Sequence, residues 1–172
     1  MLRPQRILAI DPGPREMGVA VLENERLLYQ GVETFPRFKS AEECLDAGRE
    51  TIARLVRDFK PTLLAVEKTF IGRNPNTVLL HEFACQVGEA GRELGISVRS
   101  LAANTVKRAI AGSGSASKVE VAKAVAAQYP ALSAYLPPER KWKRMRHFNM
   151  FDAVALALAC SAAANHRPPR QR

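Results

Sequence analysis

Two short, nearly apolar runs of this sequence each end on an acid, and this pattern constrains the fold more than any other. The run Ile7–Ile10 leads to Asp11, and the run Thr62–Val66 leads to Glu67. Such runs are typical of central strands that are covered on both faces. If the two strands are parallel neighbours, both acids lie at their carboxyl ends, where open α/β sheets place their chemistry. Because a buried acid is costly unless a cation meets it, both acids are candidate metal ligands.

Each acid also has a simpler interpretation, which the runs by themselves leave open. Asp11 precedes Pro12 and Gly13, where Pro fixes φ and Gly permits a positive φ, so it is also typical of a residue that starts a turn. That turn leads to a second strand at Val19–Leu22. Glu67 is equally consistent with a strand-end acid that faces solvent beside a neighbouring lysine, a pairing worth little.

The rest of the chain alternates between strand-like and helix-like patterns. Ser40, followed three residues later by a Glu, indicates a helix start, and Ser117 indicates another. In the second helix, Leu94 is expected to face inward, and the small residues Gly88, Ala90 and Gly91 are a candidate dimer face or core contact. The patterns predict strands over 26–35 and 96–101 and helices over 40–59, 77–94, 104–110, 118–128 and 148–164.

Composition bounds the function. The 172 residues include 26 Lys and Arg against 17 Asp and Glu, a formal net charge of +9. This excess favours an acidic polymer as partner, nucleic acid first and a membrane surface second. We predict one domain over residues 1–165 and a basic, disordered tail over 166–172. No apolar run approaches the ~20 residues of a membrane span.

The cysteines and the charge clusters refine this picture. The three cysteines are far apart and lack metal-ligand spacing, which predicts reduced thiols in a cytoplasmic protein. Five basic residues concentrate just before the last helix, and Arg73 lies in an earlier loop. A charge run is usually a solvated surface, but we predict phosphate contacts here because this run leads directly into the helix that bears Asp152. The five are Arg140, Lys141, Lys143, Arg144 and Arg146.

Asp152 completes a group of three acids. By itself it is explained as an acid that complements the amino terminus of a helix. Together with Asp11 and Glu67 it forms a set of hard oxygen donors suited to Mg²⁺ or Mn²⁺. Two such ions can activate a water molecule and stabilise the leaving oxygen of a phosphodiester. The acids and the basic surround together predict a nuclease.

Four motifs occur in order along the chain: IDPGxxxxG at 10–18, AVEKTF at 65–70, TVKRAIAGSGSASK at 105–118 and FDAVALALA at 151–159. Over residues 6–164 the chain thereby resembles the RuvC family of Holliday-junction resolvases. The resemblance implies an α/β, RNase H-like fold with a mixed five-stranded sheet and flanking helices. The first motif also resembles actin-like ATPases, but those need two such domains and about twice the length.

The resemblance assigns roles to single residues. Asp11, Glu67 and Asp152 would be catalytic acids that bind metal. The family has an Asp or His three residues before the last acid, where this chain has Asn149, a neutral and therefore weaker ligand; His147 is the alternative. The resemblance also implies three DNA contacts. Phe70 would contact unstacked bases, Lys107 would contact the DNA backbone, and Lys118 would contact both the DNA and the catalytic site. Phe70 is otherwise a core residue that closes the strand.

The implied activity is metal-dependent resolution of four-way DNA junctions in recombination and repair. Two Mg²⁺ ions per site, with Mn²⁺ as a substitute, would support in-line attack of water and departure of the 3′ oxygen. Two symmetric cuts imply a homodimer, and a branch-migration helicase is a candidate partner. Two alternatives stay open: an RNase H-like nuclease for other branched DNA or structured RNA, and a junction-binding protein without catalysis.

Overall fold

A mixed five-stranded sheet lies at the centre of the computed structural model, which describes residues 4–37, 40–72, 74–138 and 147–165. The strand order is β3-β2-β1-β4-β5. β1 pairs antiparallel with β2, which pairs antiparallel with β3, whereas β4 is parallel to both β1 and β5. This confirms the predicted fold class. The strands are β1 (Arg6–Asp11), β2 (Glu16–Glu23), β3 (Arg26–Thr34), β4 (Leu63–Lys68) and β5 (Ser97–Ala102).

Helices cover both faces of the sheet in the described part of the chain. Alternate strand residues separate two apolar clusters, because successive side chains of a strand point to opposite faces. Leu8 and Ile10 pack with α1 and α2, whereas Ile7 and Ala9 pack with α3, α4 and α5. The helices are α1 (Ala41–Phe59), α2 (Pro75–Glu93), α3 (Ala103–Ala111), α4 (Lys118–Gln128) and α5 (Phe148–Asn165), with a 3₁₀ helix over Pro130–Tyr135.

Local capping explains most of the helix starts. The Ser40 hydroxyl accepts a hydrogen bond from the Glu43 amide at the start of α1. Ser117 and Glu120 cap each other at the start of α4, which satisfies two backbone donors reciprocally. The predicted start of α3 at residue 104 is wrong, since α3 begins one residue earlier and Ala102 at its N-cap position offers no side-chain acceptor.

The end of α2 also differs from the sequence prediction. Leu94 is 46% exposed instead of inward-facing, because the helix ends at Glu93. Gly95 follows with φ of 73°, a left-handed conformation that glycine adopts without strain. The apolar stripe of α2 therefore ends one turn before Leu94.

The small residues of α2 pack inside this chain. Gly88, Ala90 and Gly91 are all buried. A Cβ atom on Gly91 would lie 2.4 Å from Cδ2 of Leu64 and 3.1 Å from Cγ2 of Val98. These residues therefore let α2 approach β4 and β5 closely, which favours the core interpretation over the dimer-face interpretation. No helix among the described residues is both long and apolar enough to cross a bilayer.

Candidate active site

The register of the two central parallel strands brings the first two acids side by side. Ile10 is opposite Val66 in the β1–β4 ladder, so Asp11 and Glu67 follow at the next position. Their side chains share the face of Ala9 and therefore point toward α5. The two apolar runs thus place both acids at the carboxyl ends of central strands and on the same face of the sheet.

Asp152 reaches this place because α5 crosses the end of β1 at very short range. Gly18 of β2 is the partner of Asp11 in the ladder. A Cβ atom on Gly18 would lie only 1.9 Å from the Asn149 carbonyl oxygen. A side chain at position 18 would therefore push away the first turn of α5, and with it the third acid.

Gly13, like Gly18, allows a close backbone contact, and it does not supply the positive φ that the sequence suggested. It is not among the residues with positive φ in the described chain, which are Asn24, Lys60, Gly95 and Gly112. A Cβ atom on Gly13 would instead lie 2.3 Å from the Glu16 carbonyl oxygen. The turn after Asp11 thus requires glycine for close backbone approach, not for φ.

The three acids repel one another strongly. Burial raises the pKa of Asp11 well above its usual range, and the charges of Asp152 and Glu67 raise it further. Burial and Asp152 likewise raise the pKa of Glu67. Since the charge of Asp152 makes ionisation of both Asp11 and Glu67 harder, a cation at this end of the sheet would favour their charged forms. The arrangement can therefore bind a cation.

Lys118 supplies part of the missing charge. Its Nζ atom donates a hydrogen bond to Oδ2 of Asp152 at 2.5 Å and lies 6.0 Å from the centre of the Phe148 ring. Burial lowers the pKa of Lys118, but the charge and hydrogen bond of Asp152, together with the charges of Asp11 and Glu67, outweigh this effect, and the net shift is upward. Lys107 of α3 is also close enough to lower the pKa of Glu67. Both predicted lysines therefore face the acid cluster.

Asn149 is better placed than His147 to join the acids. α5 begins at Phe148, so Asn149 lies three residues before Asp152 on the same helical face. The Asn149 amide donates a long hydrogen bond, 3.4 Å, to the Glu16 carbonyl, which leaves the oxygen of its side chain for another partner. The His147 ring instead packs edge-on against Tyr135, with 5.2 Å between ring centres.

The loop after Glu67 presents two exposed apolar side chains. Phe70 is 69% exposed, so the alternative that it closes the core is wrong. Ile71 is 68% exposed, and the sequence analysis did not single it out. The loop is joined to α2 at both ends, through a Thr69–His81 contact of 3.1 Å and a hydrogen bond of 3.2 Å from the Gly72 amide to Thr77.

Two further arginines were missed by the sequence analysis. Arg15 and Arg37 line a cavity of about 470 Å³ between the amino ends of α1 and α2. Arg15 also lines an adjoining cavity that reaches Asn149. The signal in the sequence was an arginine four residues after Asp11, inside the first motif.

Six of the predicted DNA contacts lie outside the described residues, and they stay predictions. They are Arg73, Arg140, Lys141, Lys143, Arg144 and Arg146. A candidate anion site at the start of α4 is already used within the chain, because the Ser117 amide and hydroxyl both bond to Glu120 at 2.7 Å.

The donor set fits a hard divalent cation. Carboxylates are the ligands that Mg²⁺ and Mn²⁺ prefer, and here three of them lie near two lysines, Lys107 and Lys118. Within the part of the chain that the structure describes, no three His, Cys, Asp or Glu side chains form a ready-made metal site.

Comparisons with known proteins identify the family of this chain. A family model for the crossover junction endodeoxyribonuclease RuvC matches residues 7–159. The RuvC of Halorhodospira halophila is 34% identical over 166 residues, which cover 94% of this chain and 91% of that one. The RuvC of Hyphomonas neptunium is 33% identical over 176 residues and covers 99% and 96% of the two chains.

Solved structures show the same architecture. Thermus thermophilus RuvC matches with a TM-score of 0.73 and 28% identity, covering 94% of this chain and 96% of that one. A yeast mitochondrial Holliday junction resolvase shares the fold, with a TM-score of 0.67 at 14% identity over 95% and 81% of the two chains. The sheet, the acids on its carboxyl edge and the family match lead to one conclusion: the chain belongs to the RuvC family of crossover junction endodeoxyribonucleases, which resolve Holliday junctions.

Proposed function

We propose that Asp11, Glu67 and Asp152 together hold the divalent cations with which this enzyme cuts the two opposite strands of a four-way DNA junction. The observation that carries the proposal is the convergence of three acids from β1, β4 and α5 at one edge of the sheet, with a single hydrogen-bonded lysine. The family consists of metal-dependent nucleases, and this donor set favours Mg²⁺, with Mn²⁺ as a substitute. When bound, the cations activate water and stabilise the leaving oxygen.

Within this proposal Asp11 is the acid on which both other acids act. The charges of Asp152 and Glu67 raise the pKa of Asp11, and the charge of Asp152 also raises that of Glu67. Asp11 is thus the candidate to share two cations, with Glu67 and Asp152 each holding one of them. Asn149 would add a neutral oxygen on the Asp152 side, so we expect the cation there to bind more weakly than the other.

Lys118 has a second task in this proposal. It is hydrogen-bonded to Asp152 by one of its three N–H donors, and its side chain is 55% exposed. The remaining donors can contact a phosphate oxygen and stabilise charge that develops there. Lys118 would therefore act on the reacting group while it holds the Asp152 carboxylate in place.

The proposed DNA surface surrounds the acids. Phe70 and Ile71 offer apolar contacts for unstacked bases, a kind of contact worth about 1–3 kcal/mol per base for aromatic side chains. Lys107 would contact the backbone near Glu67. We add Arg15 and Arg37 as phosphate contacts, because their cavities lead from Asn149 along the amino ends of two helices. Arg73 and the five basic residues before α5, which lie outside the described residues, are further proposed phosphate contacts.

Two paired cuts require two copies of the site, so we propose a two-fold homodimer. A branch-migration helicase is a further proposed partner, since a junction must be moved before it is cut at a given place. The free thiols of Cys44, Cys85 and Cys160 are consistent with a reducing, cytoplasmic setting. A T. thermophilus relative has been solved in complex with a Holliday junction substrate.

The first test is cleavage of a synthetic four-way junction in Mg²⁺ or Mn²⁺, alongside three-way, flap, linear and structured RNA substrates. We expect paired symmetric nicks on the four-way junction that disappear in Asp11→Asn. Tight junction binding without cutting in either metal would overturn the catalytic proposal. Preferential cutting of flaps or RNA would support the proposed metal-dependent hydrolysis but contradict the four-way junction as the substrate.

The two arginines are tested by the salt dependence of junction binding. Each neutralised phosphate adds about one to the slope of log affinity against log salt concentration, so Arg15→Gln and Arg37→Gln should each reduce that slope by about one. Arg57→Gln is the matched control, because Arg57 is an exposed arginine in the last turn of α1, far along the helix from both cavities. An unchanged slope in both variants would remove these residues from the DNA surface.

A further inference from the structure

A pair of soft ligand atoms lies on α2, one helical turn apart. They belong to His81 and Cys85, and the distance between His81 Nε2 and Cys85 Sγ is 3.6 Å. Cys85 is exposed, whereas Cys44 and Cys160 are buried. α2 covers the face of the sheet opposite to α5, so the pair is separated from Asp152 by the sheet.

We propose that His81 and Cys85 form a binding site for a thiophilic divalent cation of the Zn²⁺ class. A tetrahedral Zn²⁺ with one thiolate and one imidazole ligand separates their S and N atoms by about 3.5 Å, which follows from bond lengths of about 2.3 and 2.05 Å. The observed 3.6 Å therefore lets one ion bridge both atoms without moving the helix. Binding replaces the thiol proton, which leaves to solvent, and no oxidation or reduction takes place.

The second nitrogen of the imidazole is already oriented. The distance between His81 Nδ1 and Thr69 Oγ1 is 3.1 Å. When Nδ1 carries the proton and donates it to this hydroxyl, Nε2 presents its lone pair toward Cys85. Metal-binding histidines are commonly held in this way by a partner on the other ring nitrogen. The ligand is thus fixed before an ion arrives.

The surroundings define what kind of ion can bind. A cavity of about 160 Å³ lies beside the pair and is also lined by Glu67, Lys68 and Arg92. Two of these groups are cationic, so charge attraction alone does not hold an ion here. The bond to the thiolate must supply the affinity, which selects thiophilic ions over Mg²⁺. With two ligands from the protein, water completes the coordination and leaves the ion exchangeable.

The test is a Co²⁺ titration of the full chain in excess Mg²⁺, read by the charge-transfer absorption that thiolate-bound Co²⁺ produces. Carboxylate-bound Co²⁺ lacks this band, so the acids do not contribute to it. We expect a saturable band that Zn²⁺ removes, that Cys85→Ser abolishes and that His81→Gln weakens at least tenfold. Thr69→Val should weaken binding about tenfold or more, as loss of such a partner typically does.

The control is Glu89→Gln, which removes an exposed acid one turn beyond Cys85 and should leave the band unchanged. As a second readout, Zn²⁺ should slow alkylation of Cys85 by iodoacetamide, measured by mass spectrometry. Absence of the band in the wild type, or its survival in Cys85→Ser, would overturn the proposal. Neither readout requires DNA cleavage, so this outcome is independent of the proposed nuclease activity.

Discussion

The two ends of β1 hold charged residues in opposite ways. At its start, Arg6 donates to Glu23 through Nε at 3.0 Å and through Nη2 at 2.5 Å, and Nη1 donates to the Phe59 carbonyl at 2.6 Å. At its end, Asp11 lies near two further acids and two lysines, of which Lys118 is hydrogen-bonded to Asp152. At the first end each charged group has a partner, whereas at the second three acids share two lysines.

This difference separates stability from function along a single strand. Paired charges at the start of β1 join β2 to the end of α1, so they hold the fold together. The acids at the other end repel one another and are partly buried, which opposes folding of the metal-free protein. The acids that destabilise the metal-free protein are therefore the groups that are available to bind a cation. Substitutions at the two ends should therefore have opposite effects.

The largest effect is expected for Asp11→Asn on cleavage. Because Asp11 interacts with both other acids and is proposed to hold the cations with them, its loss should reduce the rate on a four-way junction at least about 1,000-fold, or about 4 kcal/mol of transition-state stabilisation. Single-turnover cleavage with saturating enzyme measures this effect. Asp58→Asn, which changes an exposed acid at the end of α1, is the control and should retain the wild-type rate.

Lys118→Gln should have the next largest effect. It removes the only hydrogen-bonded cation that Asp152 has among the described contacts, together with a donor for the phosphate. We expect a loss of about 100-fold in the single-turnover rate, comparable to removal of one preorganised donor from other active sites. Lys123→Gln on the exposed side of α4 is the matched control. Equal rates for both variants would contradict a catalytic role of Lys118.

Arg6→Met should show the opposite pattern to Asp11→Asn. It leaves Glu23 and the Phe59 carbonyl without their donor, so the free energy of unfolding should fall by about 1–3 kcal/mol. The cleavage rate of the folded protein should stay unchanged. Urea unfolding and single-turnover cleavage on the same samples measure both quantities, and Arg57→Met provides a surface control. A large loss of cleavage would remove the contrast between the two ends.

The smallest effect is a stability gain in Asp11→Asn without metal. Since the folded pKa of Asp11 is raised above its usual 3.8, the wild type loses stability as pH rises through that folded pKa. The variant should match the wild type below pH 3.8 and exceed it increasingly at higher pH. Each kcal/mol gained raises the melting temperature by about 2–4 °C. Thermal unfolding in a chelator across this range tests the sign, and a less stable variant at neutral pH contradicts it.

Much of the fold follows from local patterns. The apolar runs, the turn residues and the serine caps locate the five strands and most helix boundaries within a few residues. The wrong predictions concern helix ends at which the local sequence signal was weak. α3 starts without a side-chain cap, and Leu94 extends an apolar stripe beyond the last turn that packs on the sheet. Periodicity indicates which face is apolar but not where the partner surface ends.

The sequence by itself determined that two apolar strands each end on an acid and that a third acid begins an apolar helix. Local pattern suffices for that, whereas the parallel register that puts the first two acids on one face belongs to the tertiary structure. Only the tertiary structure decided that Gly18 admits the Asn149 carbonyl, that Lys118 meets Asp152 and that Arg15 and Arg37 share a cavity. These contacts join residues far apart in the chain, so their distances depend on how α5, α4 and α1 pack against the sheet.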